Sequence, residues 1–415
     1  MQNLHNVLYA QSGGVTSVIN ASAFGVIRAA LSHKSVKSVY VARNGIQGVL
    51  DENLLDLSVE DSTEIEKIAY TPGAIFGSCR TKIKEKQQLD RIFEVFAAHD
   101  IGYFFYNGGN DSMHTIFQVS KHARETGYPL KAIGIPKTVD NDLLGTDHCP
   151  GFGSAAKFTA LGMLEAIRDL RSMYISSTRV FILESMGRHA GWLAASGALA
   201  SINGEQGPDI ILFPEVRFDP EKFSHRLEDI LSQQGFCSIV AAEGLKDKTG
   251  EVLSASSELD LFGNLKLGKV GLTIEKLVKK NFNLGIHVSL PDYLQRSSRH
   301  ISSFTDWQEA IEVGAMGVHY ALEEGKTGVM VSIQRIMDRP YLKTYVAKPL
   351  DGIAAAVRYV PDEYLSPDGF YVSDKFFSYA RPLMEGEAPN LFLNGIPQHA
   401  RLHFVEVPKR CSQES

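Results

Sequence analysis

The chain has 415 residues, 44% of them hydrophobic and 22% charged, and 42 basic against 48 acidic residues leave a formal charge of −6. This length predicts roughly two to three domains around cores that need no disulfide staples, and the composition excludes disorder, collagen and coiled coil. Mild acidity speaks against a nucleic-acid partner, which calls for a basic stripe, so an anionic substrate must meet positive charge gathered in a site.

The opening MQNLHNVLYAQSGG lacks the basic and long apolar regions of a signal peptide. No run reaches the roughly 18 apolar residues of a membrane span. Cys79, Cys149, Cys237 and Cys411 are scattered, with no CxxC pair and no metal-ligand spacing, and the tail CSQES is not a prenylation box. These features predict a reduced, soluble, cytoplasmic protein.

In chain order, NVLYA (from Asn6) predicts a buried strand, VINASAFGVIRAAL (from Val18) a helix, and SVKSVYVA (from Ser35) the next strand. IGYFFYNGG (from Ile101) and KAIGIPKT (from Lys131) run apolar and then break at small or polar residues. RVFILES (from Arg179), PDIILFPE (from Pro208) and CSIVAAEG (from Cys237) repeat the pattern in a second block. Continuous apolar strands alternating with helices predict an α/β chain with mainly parallel sheets in two lobes. Open parallel sheets bind ligands beyond the carboxyl ends of their strands, and the polar motifs fall at such ends.

SGGVTSVIN (Ser12 to Asn20) follows the first strand. Gly13 and Gly14 let the backbone approach a ligand, and free N–H groups at a helix start favour an anion; the same residues also suit a plain tight turn capped by Ser17. The stretch is neither a Walker A box nor GxGxxG. YNGGNDSMHT (Tyr106 to Thr115) repeats the device with Gly108 and Gly109. Ser112 reads as a helix cap there, while Asp111 suits either a cap or a magnesium-bound phosphate.

PKTVDND (Pro136 to Asp142) places a cation, a hydroxyl and two carboxylates directly after a strand. Asp140 and Asp142 can form turns, but the combination favours phosphoryl transfer, with a carboxylate accepting a hydroxyl proton while Lys137 neutralises charge. Arg80 in PGAIFGSCR, Arg179, Arg188 in ESMGRHAGW, and Arg296 and Arg299 in PDYLQRSSRH lie beside glycine turns or strand ends. Such a set in an acidic protein suggests a sugar-phosphate site. Glu243 in AAEGL is either a helix-start carboxylate or an acceptor for sugar hydroxyls. His189 and His287 read as structural or positional, and no His/Cys cluster indicates zinc.

GG near the N-terminus, PGAIFGSCR, GGNDS, PKTVDND, MGR, AEG and YLQR occur in that order, and together they resemble the phosphofructokinase family from about Ser12 to Arg296. The resemblance implies two Rossmann-like lobes with the active site in the cleft between them. It divides the chain into a donor-binding lobe, 1–165, completed by part of 298–415, a sugar-phosphate lobe, 166–297, and a C-terminal extension, 298–415. It assigns Gly13, Gly14 and Gly109 to the phosphoryl donor, Asp140 to the base, and Arg80 and Lys137 to the transferred phosphoryl group. Thr138, Val139, Met186, Gly187, Arg188, Glu243, Tyr293 and Arg296 would hold fructose 6-phosphate. Arg179 looks like an arginine that reaches the substrate from a neighbouring subunit, implying a homodimer or homotetramer.

Among family members, ATP users have glycine where this chain has Asp111 and lack the cation at Lys137. Bulk and negative charge at Asp111 oppose an α-phosphate, and Lys137 neutralises what remains, so the chain resembles the pyrophosphate-dependent branch. The family's first magnesium-binding aspartate is Asn110 here, which leaves Asn110, Asp142 and the donor itself to hold Mg2+. His287 stands where a second substrate arginine is found in bacterial ATP users, and YLQRSS replaces QRGG. Three other readings stand beside this one: an ATP-dependent enzyme, which Asp111 opposes, a non-catalytic regulatory subunit, which the Asp140 carboxylate opposes, and a nicotinamide dehydrogenase, which lacks its fingerprint.

Overall fold

The computed structural model describes residues 5–259 and 265–411; the first four residues and the tail beyond Cys411 lie outside the described residues. The strands of the first block are β1 (His5–Gln11), β2 (Val36–Ala42), β3 (Leu54–Asp56), β4 (Ile101–Gly108) and β5 (Lys131–Pro136). The chain then builds a second sheet from β6 (Thr178–Ser185), β7 (Ile210–Leu212) and β8 (Cys237–Ala242). A hairpin follows, β9 (Ala255–Leu259) and β10 (Leu265–Leu267), and then β11 (Gly285–Ser289). It finally returns to the first sheet with β12 (Val329–Met337) and β13 (Leu342–Pro349).

The larger sheet has the order β13-β12-β5-β4-β1-β2-β3, and its five central strands are parallel. Only the edges, β3 and β13, run antiparallel. The smaller sheet, β11-β6-β8-β7, is parallel throughout. Mainly parallel sheets in an α/β chain are what the continuous apolar runs predict.

Strand alternation explains how both faces are covered. In β1, Val7 and Tyr9 point to one side, with the helices Ile19–Leu31 and Phe304–Leu322, while Leu8 and Ala10 point to the other, with Lys86–Ala98 and Asn110–Thr126. The first two helices touch backbone to backbone: a Cβ on Gly25 would lie 2.1 Å from the Ile311 carbonyl oxygen, and one on Gly314 would lie 2.3 Å from that of Ser22. In the smaller sheet, Leu183 and Val240 pack with helices Phe152–Met173 and Asp374–Ala380 around Trp192. Its other face packs with Pro220–Gln234 and Val270–Asn281.

The last segment serves both lobes. Asp374–Ala380 joins the core of the smaller one, and residues 400–407 return to the larger, where Asp56 N–H donates to the Val405 carbonyl at 2.8 Å. Among the described residues no helix is long and apolar enough to cross a membrane.

Candidate active site

A cleft of about 510 Å3 opens between the lobes, lined by the segments that follow β1, β4, β5, β6 and β8. It contains Gly13, Gly14, Arg80, Gly109, Asn110, Asp111, Lys137, Thr138, Val139, Asp140, Asp142, Met186, Arg188, His189, Glu243, Tyr293 and Arg296. Motifs as far apart in the chain as Gly13 and Arg296 thus meet where parallel strands end.

Lys137 lies against the first turn. It is buried, and its Nζ donates to the Gly14 carbonyl oxygen at 2.7 Å. Burial, and then the positive charges of Arg296 and Arg80, lower its pKa to about 8, while Asp140 and Asp142 work the other way. Gly13 N–H donates to the Cys79 carbonyl at 2.8 Å and Ser78 Oγ donates to the Gly13 carbonyl at 2.7 Å, so the loop bearing Arg80 is tied to the glycine turn. Arg296 approaches Gly14 closely: an added Cβ would lie 2.5 Å from Arg296 Nη1. Arg296 therefore stands against the Ser12–Val15 turn as well as over the Tyr293 ring, 4.2 Å from its centroid.

The two carboxylates after β5 are both pushed upward, Asp140 and Asp142 chiefly by burial, and Asp142 also by the charge of Asp140. Lys137 and His189 oppose the shift at Asp140, and Lys137 and the Asn110 side chain oppose it at Asp142. Between them, Asn141 is fully buried with φ of 56°. On the other wall, Glu243 accepts from Gly187 N–H at 3.3 Å, and burial followed by repulsion from Asp140 raises its pKa to about 7. Burial and the Arg188 charge lower His189.

Several expectations need correction. Ser112 does not cap its helix: Gly109 occupies the cap position, and the Ser112 hydroxyl is bonded to that of Ser12. Ser17 does not cap the first helix either, because its Oγ accepts from Ser302 Oγ at 2.8 Å. No helix follows β8, so Glu243 is not a helix-start carboxylate. In each case a tertiary partner or an irregular turn replaces the local motif. Arg179 sits at the opposite, amino-terminal end of β6, where its Nε donates to the Gly235 carbonyl at 2.7 Å, and it does not line this chain's cleft. Arg299 is buried away from the cleft, bonded to Pro389 and Asn390. His287 lies on β11, its ring stacked on Phe181.

Two residues that the motifs did not single out help to build the site. Lys82 reaches Asp111 with Nζ 3.0 Å from Oδ2, so the Asp111 charge is partly offset at the rim. Gln295, buried, accepts from Met186 N–H at 3.0 Å and donates to the Glu184 carbonyl at 3.2 Å, which pins the Leu294–Ser297 turn to the end of β6. Gln295 stands inside YLQR; Lys82 carried no signal beyond following Arg80.

The model of the phosphofructokinase family matches residues 6–320. The chain belongs to that family. A Methylococcus capsulatus protein named pyrophosphate–fructose 6-phosphate 1-phosphotransferase is 46% identical, covering 98% of each chain. An Alkalicoccus urumqiensis protein named sulfofructose kinase is 33% identical over 86% of this chain and 91% of its own. The crystal structure of a pyrophosphate-dependent phosphofructokinase from Nitrosospira multiformis superposes with a TM-score of 0.91 at 44% identity, covering 98% of this chain and 99% of that one.

Phosphofructokinases need a divalent metal. Among the described residues no group of three or more His, Cys, Asp or Glu could hold one alone. The residues present nevertheless fit a hard cation shared with phosphate and water: Asn110 Oδ1 is buried in the cleft wall without a hydrogen-bond partner, beside the Asp142 carboxylate.

Proposed function

We propose that the chain transfers a phosphoryl group from pyrophosphate to the 1-hydroxyl of fructose 6-phosphate, giving fructose 1,6-bisphosphate and phosphate, reversibly. The observation that carries the reading is the meeting, in one cleft, of the buried Lys137 cation, the Asp140 carboxylate and the Gly13–Gly14 turn. In the forward step the 1-hydroxyl gives its proton to Asp140 and its oxygen attacks one phosphorus of pyrophosphate. The bridging P–O bond breaks, and orthophosphate leaves with the electron pair. Lys137, Arg80 and backbone N–H groups around Gly13 and Gly109 offset the charge that spreads over the phosphoryl oxygens. Asn110 and Asp142 would hold magnesium, which when bound supplies further neutralisation of those oxygens.

Thr138, Val139, Met186, Gly187, Arg188, Glu243, Tyr293 and Arg296 form the proposed sugar-phosphate wall, with Arg296 placed to touch the donor side as well. Asp111 at the donor rim supports pyrophosphate over ATP. Arg179, pointing away from its own cleft, supports a homodimer or homotetramer in which it serves a neighbour. Four unpaired cysteines suit a cytoplasmic setting. The lobes divide, on this reading, near residues 165 and 297.

The test is an aldolase-coupled assay on purified protein with fructose 6-phosphate and magnesium, run with pyrophosphate and with ATP in parallel. Turnover with pyrophosphate alone is expected. Turnover with ATP alone would overturn the donor assignment, and silence with both would overturn the reaction.

A further inference from the structure

The Asp140–Asp142 turn is held only in part by its own neighbourhood, where Asp140 N–H donates to Thr138 Oγ1 at 3.1 Å. Its centre, Asn141, adopts a left-handed backbone with φ of 56°, which asparagine tolerates better than most other non-glycine residues and which its side-chain bonds fix here. The rest of the hold comes from the nearby Cys149 and from the last third of the chain. Asn141 Nδ2 donates to Tyr379 Oη at 2.8 Å, and Asn141 Oδ1 accepts from Cys149 N–H at 3.0 Å. Arg358 Nη1 donates to the Asn141 carbonyl at 3.4 Å, and Arg358 N–H donates to the Asp142 carbonyl at 2.8 Å.

Tyr379 Oη is fully used: it donates to the Asp147 carbonyl at 2.9 Å and accepts from Asn141 and from Arg358 Nη2 at 3.3 Å. Arg358 is itself fixed, its guanidinium 4.2 Å from the centroid of the Trp192 ring and its carbonyl accepting from Trp192 Nε1 at 3.1 Å. Val357, its neighbour, pairs with Leu143 and lines the cleft. Neither Tyr379 nor Arg358 lines the cleft, yet both bond to the segment that carries the carboxylates on either side of Asn141.

We propose that Tyr379 and Arg358 are positioning residues for phosphoryl transfer, acting through Asn141 to aim Asp140 and Asp142 into the cleft. The proposal rests on the reaction proposed above. A turn released from this hold still binds substrate but presents the base out of line, and a misplacement of about 1 Å lowers a rate by about 10²-fold.

Tyr379→Phe removes one oxygen and keeps the ring among Trp192, Tyr364 and Phe376. We expect kcat to fall about 10- to 100-fold with KM for fructose 6-phosphate and pyrophosphate within about threefold. The backbone amides of Cys149 and Arg358 should exchange about tenfold faster, with those of β4 unchanged. Asn141→Gly, which reaches the same backbone without the side-chain hold, should lower kcat similarly. The double variant should be no worse than the poorer single one, as expected when two residues act through one contact. Wild-type kcat and exchange in Tyr379→Phe, a change confined to KM, or multiplying losses in the double variant would each overturn the proposal. A wild-type protein without turnover would instead overturn the reaction, and the exchange of the two amides would still decide whether Tyr379 holds the turn.

Discussion

A single methyl group at Gly14 separates catalysis from folding. Gly14 lies outside the left-handed backbone region, so Gly14→Ala strains nothing in the main chain. The new Cβ would stand 2.5 Å from Arg296 Nη1 and 3.5 Å from its Cζ, about 1 Å inside ordinary contact. The obstacle is the tip of a long side chain, which can swing aside, so the loss in stability should stay within about 0.5 kcal/mol. The guanidinium, however, must move by about 1 Å from a place beside both the glycine turn and Lys137, and displacement of that size lowers kcat/KM by about 10²-fold. The coupled assay, with each substrate varied in turn, also shows which one Arg296 serves: a rise in KM for pyrophosphate marks the donor side, and one for fructose 6-phosphate the sugar side. A folded Gly14→Ala enzyme with wild-type kcat/KM for both substrates would refute the reasoning.

Asp140→Asn, which removes the proton acceptor while keeping its shape, should reduce turnover by about 10²–10⁴-fold with fructose 6-phosphate binding retained in calorimetry. Asp111→Gly should raise the ratio of ATP to pyrophosphate kcat/KM by opening the rim and freeing Lys82 from its ion pair; an unchanged ratio in folded protein counts against exclusion by Asp111. Stability should fall in alkali through His148, a buried imidazole 2.7 Å from Asp147 and within hydrogen-bonding distance of Glu309. Burial pushes its pKa down, but the two carboxylates outweigh burial and raise it from 6.5 to about 9. A pKa raised in the folded state stabilises fully below the unfolded value and is lost as pH climbs through about 9, here a contribution on the order of 3 kcal/mol. Urea midpoints at pH 6.5 and 9.5 should separate in the wild type and lie much closer in His148→Gln; parallel shifts would sink the assignment.

Sequence carried most of the fold because parallel strands buried on both faces leave an unambiguous trace. The runs VLYA (from Val7), IGYFFY (from Ile101) and IVAA (from Ile239) are unbroken by any charged or amide side chain, and each turns polar where the sheet meets the cleft. β12 and β13 left a weaker trace, since Val329–Met337 is buried only in its first half and Leu342–Pro349 is half-exposed at an edge. The same contrast divides the site. Gly13, Lys137 and Asp140 sit in short motifs whose residue types suit phosphate chemistry. Ser17 and Ser112 misled because a serine near a helix start looks like a cap whether or not a distant hydroxyl claims it. Tyr379 and Arg358 act across more than 200 residues of chain, and no local pattern marks a tyrosine whose partner is a turn in another lobe.

The order of strands in the larger sheet bears on how the protein is made. β5 emerges from the ribosome with one edge unpaired, and the strand that covers it, β12, begins roughly 190 residues later. At about 5–20 residues per second, that edge waits for about 10–40 s while all four strands of the smaller sheet are synthesised. The nascent chain therefore passes through a stage with an apolar parallel edge open to solvent, a template for pairing with other chains. Truncation at the end of the Phe304–Leu322 helix would make that passing stage permanent, so the final ninety residues protect the sheet from aggregation as well as completing it.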